Sequence, residues 1–257
     1  NDAATIAMMR GVLERQKASF LAEGPVSYEK RIDRLERLLT LVFDHQQALV
    51  DAMHADFGNR SPRLSRMTDI YAAVEAIKHQ KKHLKGWMKP SKRPVAMPLN
   101  FLGAKARVEY QPKGVVGNIT TWNFPVYIAV GPLTGILGAG NRAMIKMSEV
   151  TPNTAALVIE LVKKYFDETE VFALTGGPEV GLAFAGLPLD HLIFTGSTGI
   201  GKAILAAAAP NLTPVTLELG GKSPVILGRS ADFDEATYRI AVGKSMNSGQ
   251  VCLSPDY

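Results

Sequence analysis

From residue 115 onward, short apolar runs alternate with segments of helical periodicity, and this alternation constrains the fold more than any other feature of the 257-residue chain. The runs at 115–120, 142–146, 171–174, 191–194, 214–217 and 224–227 are too short for core helices and rich in β-branched and aromatic residues, so they read as strands. Between them, 125–138, 151–165, 179–185, 198–208 and 233–242 carry apolar residues at three- and four-residue spacing and read as helices. Strands that alternate with helices form a parallel sheet covered on both faces, an α/β architecture. Such sheets gather their ligands at the carboxyl ends of the strands.

The first hundred residues follow a different pattern. Ile6, Met9 and Leu13 mark an amphipathic helix over 5–21, which Gly24-Pro25 ends. Ser27 is placed to cap a longer helix carrying Ile32, Leu35, Leu38, Leu39, Val42, Phe43 and Leu49, and a third helix is expected over 63–85. These helices read as structural, with nothing on them converging chemically. His79 and His83 could face one side of a helix, but no third metal ligand accompanies them. Residues 87–103 are basic and proline-rich and read as an extended connector, followed by a strand over 104–110.

Composition excludes several classes of function. The net charge of +5 is concentrated between Lys78 and Arg93 without an aromatic ladder, so it reads as a solvated helix end and not a nucleic-acid surface. No apolar run reaches membrane-spanning length, which argues against a membrane partner. A single cysteine excludes an internal disulfide framework and a cysteine-based zinc site, and with no secretory leader it points to a reducing, cytoplasmic setting.

That cysteine, Cys252, follows the polar, turn-forming Ser248-Gly249-Gln250, an unusual lead-in for a core thiol. Glu218 lies between Leu217 and Leu219 at the end of an apolar run, where burial would raise its pKa and suit it to acid–base work beside a nucleophilic thiol. Gly196-Ser197-Thr198-Gly199-Ile200-Gly201-Lys202 follows a strand and opens a helix, a natural phosphate cradle. It departs from a P-loop at Ala203, which has no hydroxyl for magnesium. Lys146 and Glu149 end another strand and could bond the hydroxyls of a ribose, while Asn123 ends a third and could donate to an oxyanion. His191, a candidate base for Cys252, reads instead as structural.

Together these stretches resemble the aldehyde dehydrogenase superfamily. The resemblance rests on Thr121-Trp122-Asn123-Phe124-Pro125, Gly138-Ala139-Gly140-Asn141 with Lys146-Met147-Ser148-Glu149, Phe194-Thr195-Gly196-Ser197, Leu217 to Pro224, and Gly249-Gln250-Val251-Cys252, all in family order. Thr213 to Glu218 is most similar to the class 3 branch, and within it to bacterial coniferyl aldehyde dehydrogenases. The resemblance implies a Rossmann-like cofactor domain over 1–222, including the N-terminal helices and connector, with a catalytic domain beginning at 223. It implies Cys252 as nucleophile, Asn123 with the Cys252 backbone N–H as oxyanion donors, and Glu218 as the base for hydrolysis. It further implies NAD, with NADP as the alternative, bound by Thr121, Trp122, Lys146, Ser148, Glu149, Gly196, Ser197, Gly201, Leu219 and Gly220. Glu149 would repel a 2′-phosphate. The expected reaction is oxidation of an aromatic aldehyde such as coniferyl aldehyde, or of a medium-chain apolar one, to the acid in a homodimer or tetramer.

Family chains run to nearly twice this length, so the resemblance also implies that this stretch corresponds to an N-terminal half, with a truncated catalytic domain that is inactive by itself. Two other readings of the residues are a P-loop nucleotide-binding protein using Gly196 to Lys202, and a non-catalytic family member.

Overall fold

A computed structural model of the chain describes residues 2–257. Five parallel strands make the central sheet: β3 (Val115–Ile119), β4 (Arg142–Met147), β5 (Val171–Thr175), β6 (His191–Gly196) and β7 (Val215–Leu219), in the order β5-β4-β3-β6-β7. The chain runs outward from β3 to β5, then returns to the other side of β3 for β6 and β7. The strand order therefore reverses between β3 and β6, and a crevice opens at their carboxyl ends.

Alternation along the strands assigns each side chain to a layer. Val116, Ala143, Ile145, Met147, Val171 and Ala173 face one core with helices α2 (Tyr28–Asp44), α3 (Gln46–Phe57), α5 (Ala72–Trp87), α6 (Pro125–Gly138) and α7 (Pro152–Tyr165). Val115, Ile119, Met144, Phe172, Leu192 and Phe194 face the other, with α1 (Asp2–Glu23), α8 (Pro178–Ala185) and α9 (Thr198–Ala208). Each fully buried aliphatic side chain in these layers contributes about 1.5–3 kcal/mol relative to exposure. Gly117 sits at the middle of β3 because a Cβ there would lie 2.6 Å from Leu189 and 2.9 Å from Phe184, atoms of the layer it faces.

Ser27 caps α2 as expected, accepting from the Lys30 N–H at 3.2 Å. The long helix expected to reach Leu49 is instead two, because His45 leaves helical geometry (φ −107°, ψ 15°) and bonds the Tyr165 hydroxyl at 3.1 Å. The expected helix over 63–85 is present as α4 (Pro62–Ser65), a π-helical turn over Arg66–Tyr71, and α5. The connector is not wholly irregular: β1 (Ser91–Arg93) pairs antiparallel with β2 (Ala106–Val108). No strand forms at 224–227, where regular pairing is limited to a bridge between Ser223 and Pro255 and a bond from the Val225 N–H to the Tyr257 carbonyl at 2.7 Å. Helix α10 (Phe233–Ser245) is capped by Asp232 but buries none of its residues.

Candidate active site

Two adjoining lobes open along the carboxyl edge of the sheet and share Thr121, Trp122, Thr195, Gly196 and Ser197 in their walls. The first, about 530 Å³, lies between β3, β4 and β6 and helices α8 and α9. Lys146 reaches it through strand parity: on β4, Arg142, Met144 and Lys146 point to the α8–α9 side, so the last of them emerges at the strand's end. Its ammonium is buried and bonds Glu149 at 2.5 Å. Burial alone would raise the Glu149 pKa, but the Lys146 bond outweighs it and holds the carboxyl below its usual range. Ser148 lines the same lobe, and its hydroxyl accepts from the Val150 N–H at 3.3 Å.

Opposite Lys146, Ser197 caps α9 by accepting from the Ile200 N–H at 3.3 Å. The first N–H groups of that helix have no intrahelical acceptor, and with the positive end of the dipole they suit an anion. Pro178, Leu182, Ile200 and Ile204 form an apolar wall that suits a flat ring. Thr120 lines this lobe, and its buried hydroxyl has no hydrogen-bond partner. Charge pair, helix terminus and apolar slot together fit a dinucleotide.

The second lobe, about 450 Å³, holds Asn123, Glu218, Leu219, Gly220 and Cys252. Asn247, Ser248 and Gly249 adopt successive positive φ values of 49°, 57° and 77°, which turn the chain ahead of the cysteine. Left-handed non-glycine residues cost about 1–2 kcal/mol each, so this turn needs compensating bonds. It has them: the Asn247 carboxamide N–H donates to the Asn123 carbonyl at 3.0 Å and the Gln250 carbonyl at 3.4 Å. Cys252 emerges as an exposed free thiol. The Asn123 side chain donates to the Gln250 carbonyl at 3.0 Å, which leaves its second amide hydrogen free.

A buried ion pair lies beneath Asn123. Arg60 donates to Asp69 at 2.6 Å and to the Asn123 carbonyl at 2.8 Å, and Asp69 also accepts from the Val126 and Tyr127 N–H groups at the start of α6. Burial pushes the Asp69 carboxyl up, opposed by Arg60, the two backbone N–H groups and the Thr68 hydroxyl. Sequence reasoning reads the N-terminal helices as structural, and from that region Arg60, in the turn before α4, and Asp69 reach the main chain at Asn123 and the start of α6. The available signal is that Asp69 shares a four-residue spacing with Ala73 and Ile77, both fully buried, which places a carboxylate on an apolar stripe.

The expectations for Glu218 and Gly201 change as well. Glu218 is exposed, not buried, because the face of β7 that carries Thr216 and Glu218 is open among the described residues. Gly201 lines neither lobe: it is buried, and a Cβ there would lie 3.1 Å from Leu219, so it permits α9 to pack against β7. His191 heads β6 at the opposite end of the sheet from Cys252 and pairs with Thr216 at 2.9 Å, which removes it as a base for the thiol. Lys202, the lysine a P-loop would need, is exposed and lines neither lobe, whereas Ala203 does. His83 stacks on Trp87 and His79 packs tilted against both, and no cluster of three potential metal ligands exists among the described residues. Among those residues no helix is long and apolar enough to cross a membrane.

Comparison with known proteins bears on the same cleft. The profile of the aldehyde dehydrogenase family matches residues 4–256. A probable coniferyl aldehyde dehydrogenase of Caulobacter vibrioides is 52% identical over 252 residues, covering 98% of this chain and 52% of that protein. The substrate-bound structure of Staphylococcus aureus AldH superposes with a TM-score of 0.91 at 34% identity, covering 97% of this chain and 54% of that one. PnpE, from Pseudomonas sp. WBC-3, superposes in its complex with nicotinamide adenine dinucleotide with a TM-score of 0.83 at 28% identity, covering 95% of this chain and 49% of that one. The chain thus spans about half the length of the curated relatives it matches.

Proposed function

Because this chain belongs to the aldehyde dehydrogenase family, we propose that its cleft serves the NAD-dependent oxidation of an aldehyde to a carboxylic acid through a thioester on Cys252. The reading rests on one observation above all: the only thiol of the chain opens into a lobe with Asn123 and Glu218, adjoining a second lobe that fits a dinucleotide. Residues 1–222 form the cofactor-binding unit in this reading, and 223–257 carry the thiol.

The Cys252 thiolate adds to the aldehyde carbonyl, forming a carbon–sulfur bond and leaving negative charge on oxygen. The free amide hydrogen of Asn123 and the backbone N–H of Cys252 donate to that oxygen. Lys146, Ser148 and Glu149 would hold the ribose side of the cofactor, Ser197 and Gly196 its phosphates, and Thr121, Trp122, Leu219 and Gly220 would line its path toward the thiol. Bound there, NAD would supply the two-electron acceptor that thioester formation needs. Glu218, which lines the same lobe as Cys252, takes a proton from water as the water adds to the thioester carbonyl. The carbon–sulfur bond then breaks, the thiolate returns and the acid leaves. Glu149 opposes a 2′-phosphate, which favours NAD over NADP. An aromatic aldehyde of the coniferyl type is the proposed substrate, supported by the name of the Caulobacter relative.

The test is Glu218→Gln in the whole protein. It should release about one equivalent of reduced cofactor per site in a burst and then turn over slowly, because acylation precedes the step that needs the carboxylate. Unchanged steady-state turnover would contradict the role given to Glu218.

A further inference from the structure

We infer that Arg60, Asp69 and Asn247 form a single clamp that sets the position of Asn123 relative to the loop bearing Cys252, with Arg60 and Asn247 as positioning residues. The inference deepens the function proposed above and rests on it. Asn123 is approached from two sides, and both approaches end on the same atom. Its main-chain carbonyl accepts from the Arg60 guanidinium at 2.8 Å and from the Asn247 carboxamide at 3.0 Å. Arg60 belongs to the turn before α4, and Asn247 to the turn before the cysteine, so the two donors come from segments 187 residues apart (247 less 60).

Each donor is itself immobilised. The Arg60 side chain is 1% exposed, its guanidinium lies 4.8 Å from the Phe57 ring centre and 5.3 Å from that of Phe124, and its second arm bonds Asp69 at 2.6 Å and the Thr68 hydroxyl at 3.1 Å. The other oxygen of Asp69 accepts from the Val126 and Tyr127 N–H groups at 3.1 and 3.0 Å. The ion pair therefore grips the chain on both sides of Phe124, at the carbonyl before it and at the amides after it. Asn247 also donates to the Gln250 carbonyl, the atom that accepts from the Asn123 side chain. A displacement of Arg60 thus passes through one carbonyl to the carboxamide proposed to meet the oxyanion, and through Asn247 to the turn ahead of the thiol. Asp69 lies within the π-helical turn, a local distortion of the kind that aims a side chain out of helical register.

Arg60→Lys keeps a positive charge opposite Asp69 but loses the two-armed fork, and Asn247→Ala removes the second donor. In the whole protein each variant should lower kcat by about 10- to 100-fold, since small misplacements at a reacting centre cost that much. The aldehyde KM and NAD dissociation constant should stay within about twofold, because the change falls on contacts made in the transition state. Combined, the two should cost less than the product of the single effects, because they fix one shared carbonyl. An unchanged kcat in both variants, a loss matched by the fraction unfolded, or a strictly multiplicative double variant would overturn the clamp. Hydrogen exchange gives a readout independent of turnover: Arg60→Lys should speed exchange over 246–252, Asn247→Ala should speed it over 60–69, and neither should alter β4. If the wild-type protein oxidises no aldehyde, the functional reading fails while exchange still decides the clamp, which falls if neither reciprocal effect is seen. Should Arg60→Lys fail to fold, Asn247→Ala decides both measurements.

Discussion

The two lobes of the cleft are built in contrasting ways. Strand β4, which delivers Lys146, is buried along its whole length, with layers of helices on both faces. The segment 223–257, which delivers Cys252, contains a helix that buries none of its residues and leaves Ile226, Phe233, Tyr238 and Leu253 exposed. On the cofactor side, precision comes from strand alternation and close packing. On the thiol side it comes from a few directed polar bonds around Asn123, Asn247 and Gln250, with Asp256 paired to Lys222 and Lys244 nearby. Within this chain, which spans about half the length of its relatives, the cofactor lobe is held by volume and the thiol lobe by hydrogen bonds.

This contrast predicts unequal responses to truncation. Phe184, fully buried beneath the sheet, should cost about 3–5 kcal/mol on replacement by alanine, whereas the exposed Phe233 should cost within about 0.5 kcal/mol. Equal losses in urea unfolding would erase the distinction. Added volume should discriminate in the same direction. Gly117→Ala drives a methyl into Leu189 and Phe184 and should cost about 1–3 kcal/mol, while Gly228→Ala meets nothing within 4 Å and should be close to neutral.

A third comparison falls within the cofactor lobe. Glu149→Gln removes the negative charge beside Lys146, and should shift the preference for NAD over NADP by about tenfold toward NADP, read from paired dissociation constants. No shift would show that Glu149 does not face the ribose.

The smallest effect concerns acid. Burial raises the pKa values of Glu23 and Glu170, but bonds from Lys30 and Arg34 to the first and from Arg37 and Arg34 to the second more than reverse this, and both end below the ordinary 4.5. A carboxyl with a lower pKa in the folded than in the unfolded protein stabilises at pH above the unfolded value. That contribution is lost as pH falls through the folded one. The melting temperature should therefore fall progressively below about pH 4.5, and Glu23→Gln should flatten that decline. Asp256 is also lowered, by Lys222 first, but it is exposed and solvent-screened, so Asp256→Asn should leave the acid profile nearly unchanged.

How much was legible in the sequence follows the same division. Periodicity located five strands and matched helices such as Pro125–Gly138 and Thr198–Ala208 at both ends, because their patterns are set by burial on known faces. It erred at 224–227, where apolar composition mimics a strand but the backbone finds little to pair with. The placement of Lys146 and Ser197 at the carboxyl edge of the sheet could be read from residue type and strand position. The exposure of Glu218 could not, since it depends on which elements pack over that face of β7, a matter of tertiary arrangement. Nor could the meeting of Arg60 with Asn247, which depends on tertiary approach alone.

The central claim is that Cys252 carries the chemistry while the adjoining lobe independently holds the dinucleotide. Its most direct test is Cys252→Ala in the whole protein, measured for NAD binding by calorimetry and for aldehyde-dependent reduction of NAD. The prediction is an NAD dissociation constant within about twofold of wild type and no detectable aldehyde-dependent reduction. Turnover surviving the loss of the thiol would contradict the mechanism, and loss of NAD binding with an intact fold would contradict the separation of the two lobes.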